Sequence, residues 1–171
     1  IKADGLATGK GVIIAFNIEE GQKAIREIME DKIFGSSGNK IVIEEYLEGV
    51  EISMHAFCDG NTVVMFPAAQ DHKTIFDNDK GPNTGGIGTV APVPGISSEI
   101  LNEIKEKIVL PVLTALKNSG TPYKGILFPG IMLTKEGPKV IEFNARFGDP
   151  ETQVYMRLLE TDLLDIILAC I

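Results

Sequence analysis

Three polar side chains at alternating positions, Glu142, Asn144 and Arg146, are interleaved with the β-forming bulk of Val140, Ile141 and Phe143. That alternation places them on one face of a strand. A carboxylate and an amide oxygen are hard ligands that suit Mg²⁺, and a guanidinium is a fork of donors that suits a phosphate. A solvent-facing polar stripe on an antiparallel strand has the same pattern. The run Gly148-Asp149-Pro150-Glu151 just beyond favours the chemical reading, because a solvated stripe does not need it. Asp149 reads as orienting Arg146 or a backbone turn, and equally as a plain turn residue before Pro150.

Two other stretches carry backbone chemistry. From Asp71 to Thr89 the chain has little apolar content and four glycines. A stretch this long without an apolar pattern is either functional or disordered. Asn83-Thr84-Gly85-Gly86 can turn several N–H groups onto a carboxylate or phosphate, and Asp71, His72 and Lys73 can hold an amino group and an anion. The opening, IKADGLATGKGVIIAF, sets Gly5, Gly9 and Gly11 between apolar flanks. It is not a P-loop, since the required first glycine falls on Asp4 and Gly11 stands where Ser or Thr is needed. A glycine-rich cover for a triphosphate and a mobile hairpin without ligand both remain open for it.

Four runs together, EFNARFGDPETQ at 142–153, AQDHK at 69–73, GPNTGG at 81–86 and KADGLATGKG at 2–11, resemble the phosphoribosylamine–glycine ligases, or glycinamide ribonucleotide synthetases, of the ATP-grasp superfamily. The resemblance covers essentially the whole chain. It implies an α+β ATP-grasp fold: two lobes of mainly antiparallel sheet with packed helices and the nucleotide between them. Lys2 then matches the strand lysine that reaches the nucleotide phosphates, and Ala7 to Gly11, with Gly9, Lys10 and Gly11, the flap over them. Backbone near Glu45 and Leu47 would read the adenine edge, with Glu44 and Glu51 as carboxylate contacts or simply surface charge. Asp71, His72, Lys73, Asn83, Thr84, Gly85 and Gly86 match the segment that closes on glycine and phosphoribosylamine. Glu142 and Asn144 would hold Mg²⁺ or Mn²⁺, Arg146 would stabilise the transferred phosphoryl group, and Asp149 would support it.

The implied reaction activates glycine with ATP as an acyl phosphate, which the amine of phosphoribosylamine attacks. Glycinamide ribonucleotide, ADP and phosphate result, as a step of purine biosynthesis. Alternatives are another ATP-grasp carboxylate–amine ligase, or an inactive nucleotide-binding fragment. Departures from the family pattern fall at Thr74 in place of Arg, at Asn78, at Thr89-Val90, and at Phe128-Pro129 in place of Tyr-Ala.

The scaffold behind these residues is read from periodicity and turn chemistry. Asn17 and Glu20 form an N-cap pair opening a helix through about Phe34, with Ala24, Ile25, Ile28, Met29 and Ile33 on one face. Lys40 to Leu47 reads as a strand, and Glu48-Gly49-Val50 as a connector between a small lobe, 1–47, and a larger one, 48–171. Residues 51–58 and 62–67 flank Asp59-Gly60-Asn61 as a hairpin, with His55 as a plain strand-face histidine. Ser97 or Ser98 caps a helix to about Asn118 that Pro111 should kink. Pro129 suggests an edge strand or a bulge. Asp162 is read as a cap for a last apolar helix.

The 171 residues suffice for one domain or one with a small lobe, and the opening inside a strand and the close inside an apolar helix lead us to expect a piece truncated at both ends. The parent either stands alone or is fused to other purine-pathway domains. A net charge of −8 argues against nucleic acid or an anionic membrane as partner. Small phosphorylated substrates need only a local basic site. Cys58 and Cys170 show no metal spacing or disulfide framework, which suits the cytoplasm. No apolar run reaches the ~18 residues of a membrane span.

Overall fold

The computed structural model describes residues 1–7, 11–77 and 80–171. The chain forms two compact units, Ile1–Leu47 and Glu48–Ile171. None of the helices among the described residues is long and apolar enough to cross a membrane.

In the first unit, β1 (Lys2–Ala3) pairs antiparallel with β2 (Ile41–Val42). The Ala3 N–H donates to the Gly11 carbonyl at 2.8 Å, which brings the far end of the glycine-rich stretch back beside the strand. Helix α1 (Ile18–Met29) starts as its sequence dictates: Asn17 Oδ1 accepts the Glu20 N–H at 2.9 Å, and Glu20 reaches back to the Phe16 N–H at 2.8 Å. It buries Ala24 and Ile28, the latter against Gly38. The helix ends at Met29, short of Phe34, because Lys32 turns to φ 55° and a 3₁₀ segment, Gly35–Asn39, follows. Ile33 is therefore exposed. The strand expected to run to Leu47 pairs only at Ile41–Val42.

The second unit is built on a central strand, β8 (Lys124–Thr134). Along one side it pairs first with β4 (Ala56–Asp59) and then with β3 (Val50–Ser53); along the other it pairs with β9 (Gly137–Asn144). β5 (Val63–Met65) completes the sheet as the hairpin partner of β4. At that turn Asp59 Oδ1 accepts the N–H groups of Asn61 and Thr62, the local chemistry expected of Asp-Gly-Asn. The pleat sends alternate residues to opposite faces. Leu127 and Ile131 join Ile52, Met54 and the helical Ile104 and Val109 on one side, while Ile126 and Phe57 join Phe66 and Tyr155 on the other.

Four expectations are corrected here. The long helix is α2 (Ser98–Ile104), a π-turn (Lys105–Val109) and α3 (Leu110–Asn118), so the break lies just ahead of Pro111. The Leu110 N–H reaches the Lys105 carbonyl, and the extra residue rotates the face so that Val109 becomes fully buried. Residues 51–58 are two strands, interrupted at Met54–His55. Pro129 sits inside the central strand and not at an edge, although the register shift at Gly130/Ile131 puts a bulge next to it, the other half of the expectation. The Pro129 carbonyl accepts the Met54 N–H at 3.1 Å, so the donor that proline lacks would point at that same interruption between β3 and β4. Lastly, Asp71–Thr89 is not an irregular loop. β6 (Gln70–Phe76) and β7 (Lys80–Val90) form an antiparallel ribbon with register shifts at His72/Thr74 and Thr74/Phe76.

Behind β9 come α4 (Glu151–Leu158) and α5 (Leu163–Cys170), the latter capped by Asp162, whose Oδ1 accepts the Leu164 N–H at 2.8 Å.

Candidate functional site

Glu142 and Asn144 lie on β9, opposite Gly130 and Phe128 of β8. Asn144 Nδ2 donates to Glu142 Oε1 at 3.0 Å, so the two side chains lie against each other. The register shifts just before them, because Gly130 pairs with Glu142 while Ile131 pairs with Val140, which makes Ile141 the extra residue of a bulge. Bulges of this kind re-aim side chains at the end of a ladder. Arg146 falls outside the strand: β9 ends at Asn144, and a bend carries Arg146 past it. Strict alternation therefore does not place it. Its Nη1 donates to the Phe147 carbonyl at 3.0 Å, and its guanidinium carbon lies 5.7 Å from the Phe128 ring centroid.

The motifs AQDHK, GPNTGG and GDPE meet. A Cβ placed on Gly86, which sits at φ 120°, would come within 2.5 Å of Pro150 Cδ and 2.9 Å of Asp71 Oδ1. Only glycine allows β7 to approach so closely. Thr84 Oγ1 donates to the Lys73 carbonyl at 2.8 Å and accepts the Gly86 N–H at 3.1 Å, tying the ribbon together.

Charge is concentrated around Lys73. Its ammonium is ion-paired to Glu51 across β6 and β3. Burial pulls the Lys73 proton affinity down, but the Glu51 bond and charge, with Asp71 and Glu142 behind them, outweigh it and hold it above the usual value. Asp71 responds oppositely. Burial and the Glu151 charge push its carboxyl up to about 6 against the pull of Lys73. Its Oδ1 is buried without a hydrogen-bond partner among the described residues. His72 is exposed.

The turn after Arg146 is braced from several sides. The Gly148 N–H donates to His55 Nε2 at 3.1 Å, Gly148 O accepts the Thr152 N–H at 3.1 Å, and Asp149 Oδ1 accepts Gln153 Nε2 at 2.7 Å. Asp149 is thus tied through Oδ1 to the helix that follows it. Glu151 is buried, and Ser53 Oγ donates to its Oε1 at 2.6 Å. Sequence reasoning missed Ser53, His55 and Glu151 as site supports. The pairs are 93 and 98 residues apart, so no local pattern signals them.

In the first unit, Lys2 Nζ lies 3.7 Å from Glu44 Oε1. Gly11 is in place beside Ala3, and Gly9 and Lys10 lie outside the described residues, as does Asn78. Glu45 and Leu47 belong to extended chain beyond β2. Glu51, expected with the nucleotide contacts, lies in the second unit as the partner of Lys73.

The family model described as phosphoribosylglycinamide synthetase, ATP-grasp (A) domain, matches residues 1–152. The chain belongs to that family. It is 53% identical over 168 residues to the phosphoribosylamine–glycine ligase of Leptospira interrogans, covering 98% of this chain and 39% of the relative. It is 52% identical over 171 residues to the trifunctional purine biosynthetic protein adenosine-3 of Gallus gallus, covering all of this chain and 17% of that one. The chain thus spans well under half the length of these ligases. The crystal structure of phosphoribosylamine–glycine ligase from Thermotoga maritima superposes with a TM-score of 0.82 at 36% identity, over 98% of this chain and 42% of that one. D-alanine–D-alanine ligase of Bacillus anthracis, solved with ATP, has a TM-score of 0.59 at 22% identity, covering 96% of this chain and 51% of that one. That likeness shows the ATP-grasp fold alone.

Proposed function

We propose that this chain is the ATP-grasp part of an ATP-dependent ligase that joins glycine to 5-phosphoribosylamine in purine biosynthesis. The observation that carries the reading is the convergence of Asp71, Gly86 and Pro150, which brings three family motifs to one place, with the Glu142 charge felt at neighbouring Lys73. ATP enters as a substrate of the family's reaction and the divalent cation as its cofactor.

The pair of Glu142 and Asn144 fits a hard cation: both side chains offer oxygen, and their 3.0 Å hydrogen bond holds them side by side. Mg²⁺ or Mn²⁺ held there would neutralise charge on the terminal phosphates of ATP. No group of three or more His, Cys, Asp or Glu among the described residues forms a richer metal centre. Lys2, with the Ala7–Gly11 stretch, is assigned to the phosphates, and Glu44, Glu45 and Leu47 to the base and ribose. Arg146 is assigned to the transferred phosphoryl group. Asp71 and Lys73, with Thr84 to Gly86, are assigned to the amino and carboxylate groups of the substrates. Asp149 supports the turn.

No nucleophilic side chain is needed. The glycine carboxylate attacks the γ-phosphorus and ADP leaves; the incoming amine then attacks the carbonyl carbon of the acyl phosphate, inorganic phosphate leaves and the nitrogen gives up a proton. Such a path depends on alignment and charge neutralisation. Fusion to further purine-pathway domains, as in the Gallus gallus relative, is compatible with this chain.

The test is ADP release by the whole protein with glycine and phosphoribosylamine supplied together and singly. Release that requires both supports the ligase. Calorimetry showing nucleotide bound and glycine ignored would support a nucleotide-binding module instead.

A further inference from the structure

His55 is fully buried at the interruption between β3 and β4, where its own backbone is pinned: its carbonyl accepts the Phe66 N–H at 2.8 Å, and the neighbouring Met54 N–H reaches Pro129. The imidazole stacks on Phe128 at 3.9 Å and meets Phe66 and Tyr155 edge-on. Its Nε2 accepts the Gly148 N–H, so the neutral ring carries its proton on Nδ1. Gly148 lies between Arg146 and Asp149, and the Arg146 guanidinium lies over the same Phe128 ring on which His55 stacks. One rigid side chain thus meets the Arg146–Glu151 turn twice, through the backbone at Gly148 and through the Phe128 ring.

We propose that His55 is a positioning residue for the phosphate-facing turn: by accepting the Gly148 N–H it fixes the path from Arg146 to Glu151 and so aims the guanidinium. The proposal rests on the assignment of Arg146 made above. Three features favour this over simple core filling. A histidine of pure packing value has no need to present an sp² nitrogen to a buried amide, and a buried amide N–H requires an acceptor. Thr152 on Gly148 O and Gln153 on Asp149 fasten the turn to α4 itself; the His55 bond fastens its middle to the sheet, as Ser53 on Glu151 fastens its end. Burial, with the nearby Arg146 charge, pushes the ring's proton affinity down to about 3, which keeps Nε2 an acceptor at neutral pH.

The experiment compares His55→Leu and His55→Gln in the whole protein. Leu keeps the bulk and removes the acceptor; Gln returns an oxygen that accepts the same N–H. Deuterium uptake is read over the segment 146–153, and kcat and KM for ATP are measured alongside. The expected result for Leu is exchange at Gly148 faster by about tenfold or more, and kcat lower by about tenfold with KM for ATP within roughly twofold. Gln recovers most of both. Wild-type exchange and kcat in the Leu variant overturn the proposal, as does a Gln variant impaired like the Leu variant. Should the Leu variant not fold, the Gln variant decides: near wild-type values support the proposal, and loss of both overturns it. A wild-type protein without ligase turnover would count against the functional reading alone, and the exchange comparison would then decide the role of His55.

Discussion

The Lys73 ammonium of β6 is ion-paired to the Glu51 carboxylate of β3, with Asp71 and Glu142 close enough to strengthen its hold on its proton. One cation therefore offsets three acidic groups from three strands. Both partners of the pair are about two-fifths exposed, and pairs open to solvent contribute about 0–1 kcal/mol to stability. The arrangement makes more sense as a means of placing charge where substrates and a cation arrive. We expect Lys73→Met and Glu51→Gln to shift unfolding free energy by less than ~1 kcal/mol. Turnover should fall by about tenfold or more. Denaturant titration and steady-state kinetics on the same samples check this. Parallel losses in stability and turnover would show the pair to be structural.

Acid stability should expose two opposed groups. Burial, then the Arg146 charge, lowers His55 from 6.5 to about 3. Its contribution is complete above pH 6.5 and is lost as the pH falls toward 3, because the unfolded chain takes up the proton first. Burial, then the Glu151 charge, raises Asp71 from 3.8 to about 6. Its contribution is complete below pH 3.8 and is lost as the pH rises through about 6. Between these limits the two oppose each other. Thermal midpoints from about pH 4 to 7 should therefore decline less steeply on acidification in His55→Leu than in the wild type, and more steeply in Asp71→Asn. Identical slopes in all three proteins would remove both groups from the account.

Local chemistry was legible in the sequence, and distant pairing was not. The Asn17–Glu20 cap, the Ser97 and Asp162 caps and the Asp59 turn are each settled by residues within three positions, and each forms as read. The ribbon from Gln70 to Val90 was misread because its glycines hide the alternation that marks a strand, although backbone pairing needs no side chain. Pro129 was misread because the gap that tolerates it lies at Met54–His55, more than 70 positions away in sequence. Glu142 and Asn144 could be found by their spacing. Arg146 could be found only by type, since the strand ends two residues before it.

Removing the oxygen pair tests the metal assignment. Glu142→Ala with Asn144→Ala takes away one carboxylate and one amide oxygen while leaving the β8–β9 backbone ladder in place. Mg²⁺-dependent ATP binding, measured by calorimetry with and without chelator, should weaken by about tenfold or more, and Mg²⁺-free binding should change little. Loss of both in equal measure would point to a damaged fold, which circular dichroism would register.

Gly148 is the tightest point of the turn. A Cβ there would stand 2.4 Å from Glu151 Oε2 and 2.9 Å from His55 Nε2. Neither neighbour is free to retreat. Glu151 is buried at the start of α4 and held by Ser53, and His55 is packed against Phe128, Phe66 and Tyr155. Gly148→Ala should therefore destabilise the fold by about 1–3 kcal/mol, the range for forcing an extra methyl into a packed interior. The companion change Ser53→Ala removes the hydroxyl that fixes Glu151, so in the Gly148→Ala background it should restore part of that loss by letting the carboxylate swing away. A double-mutant cycle by chemical denaturation reads the coupling directly. Additive losses would mean that the methyl is accommodated by backbone movement, and that Ser53 and Glu151 do not set the shape of the turn.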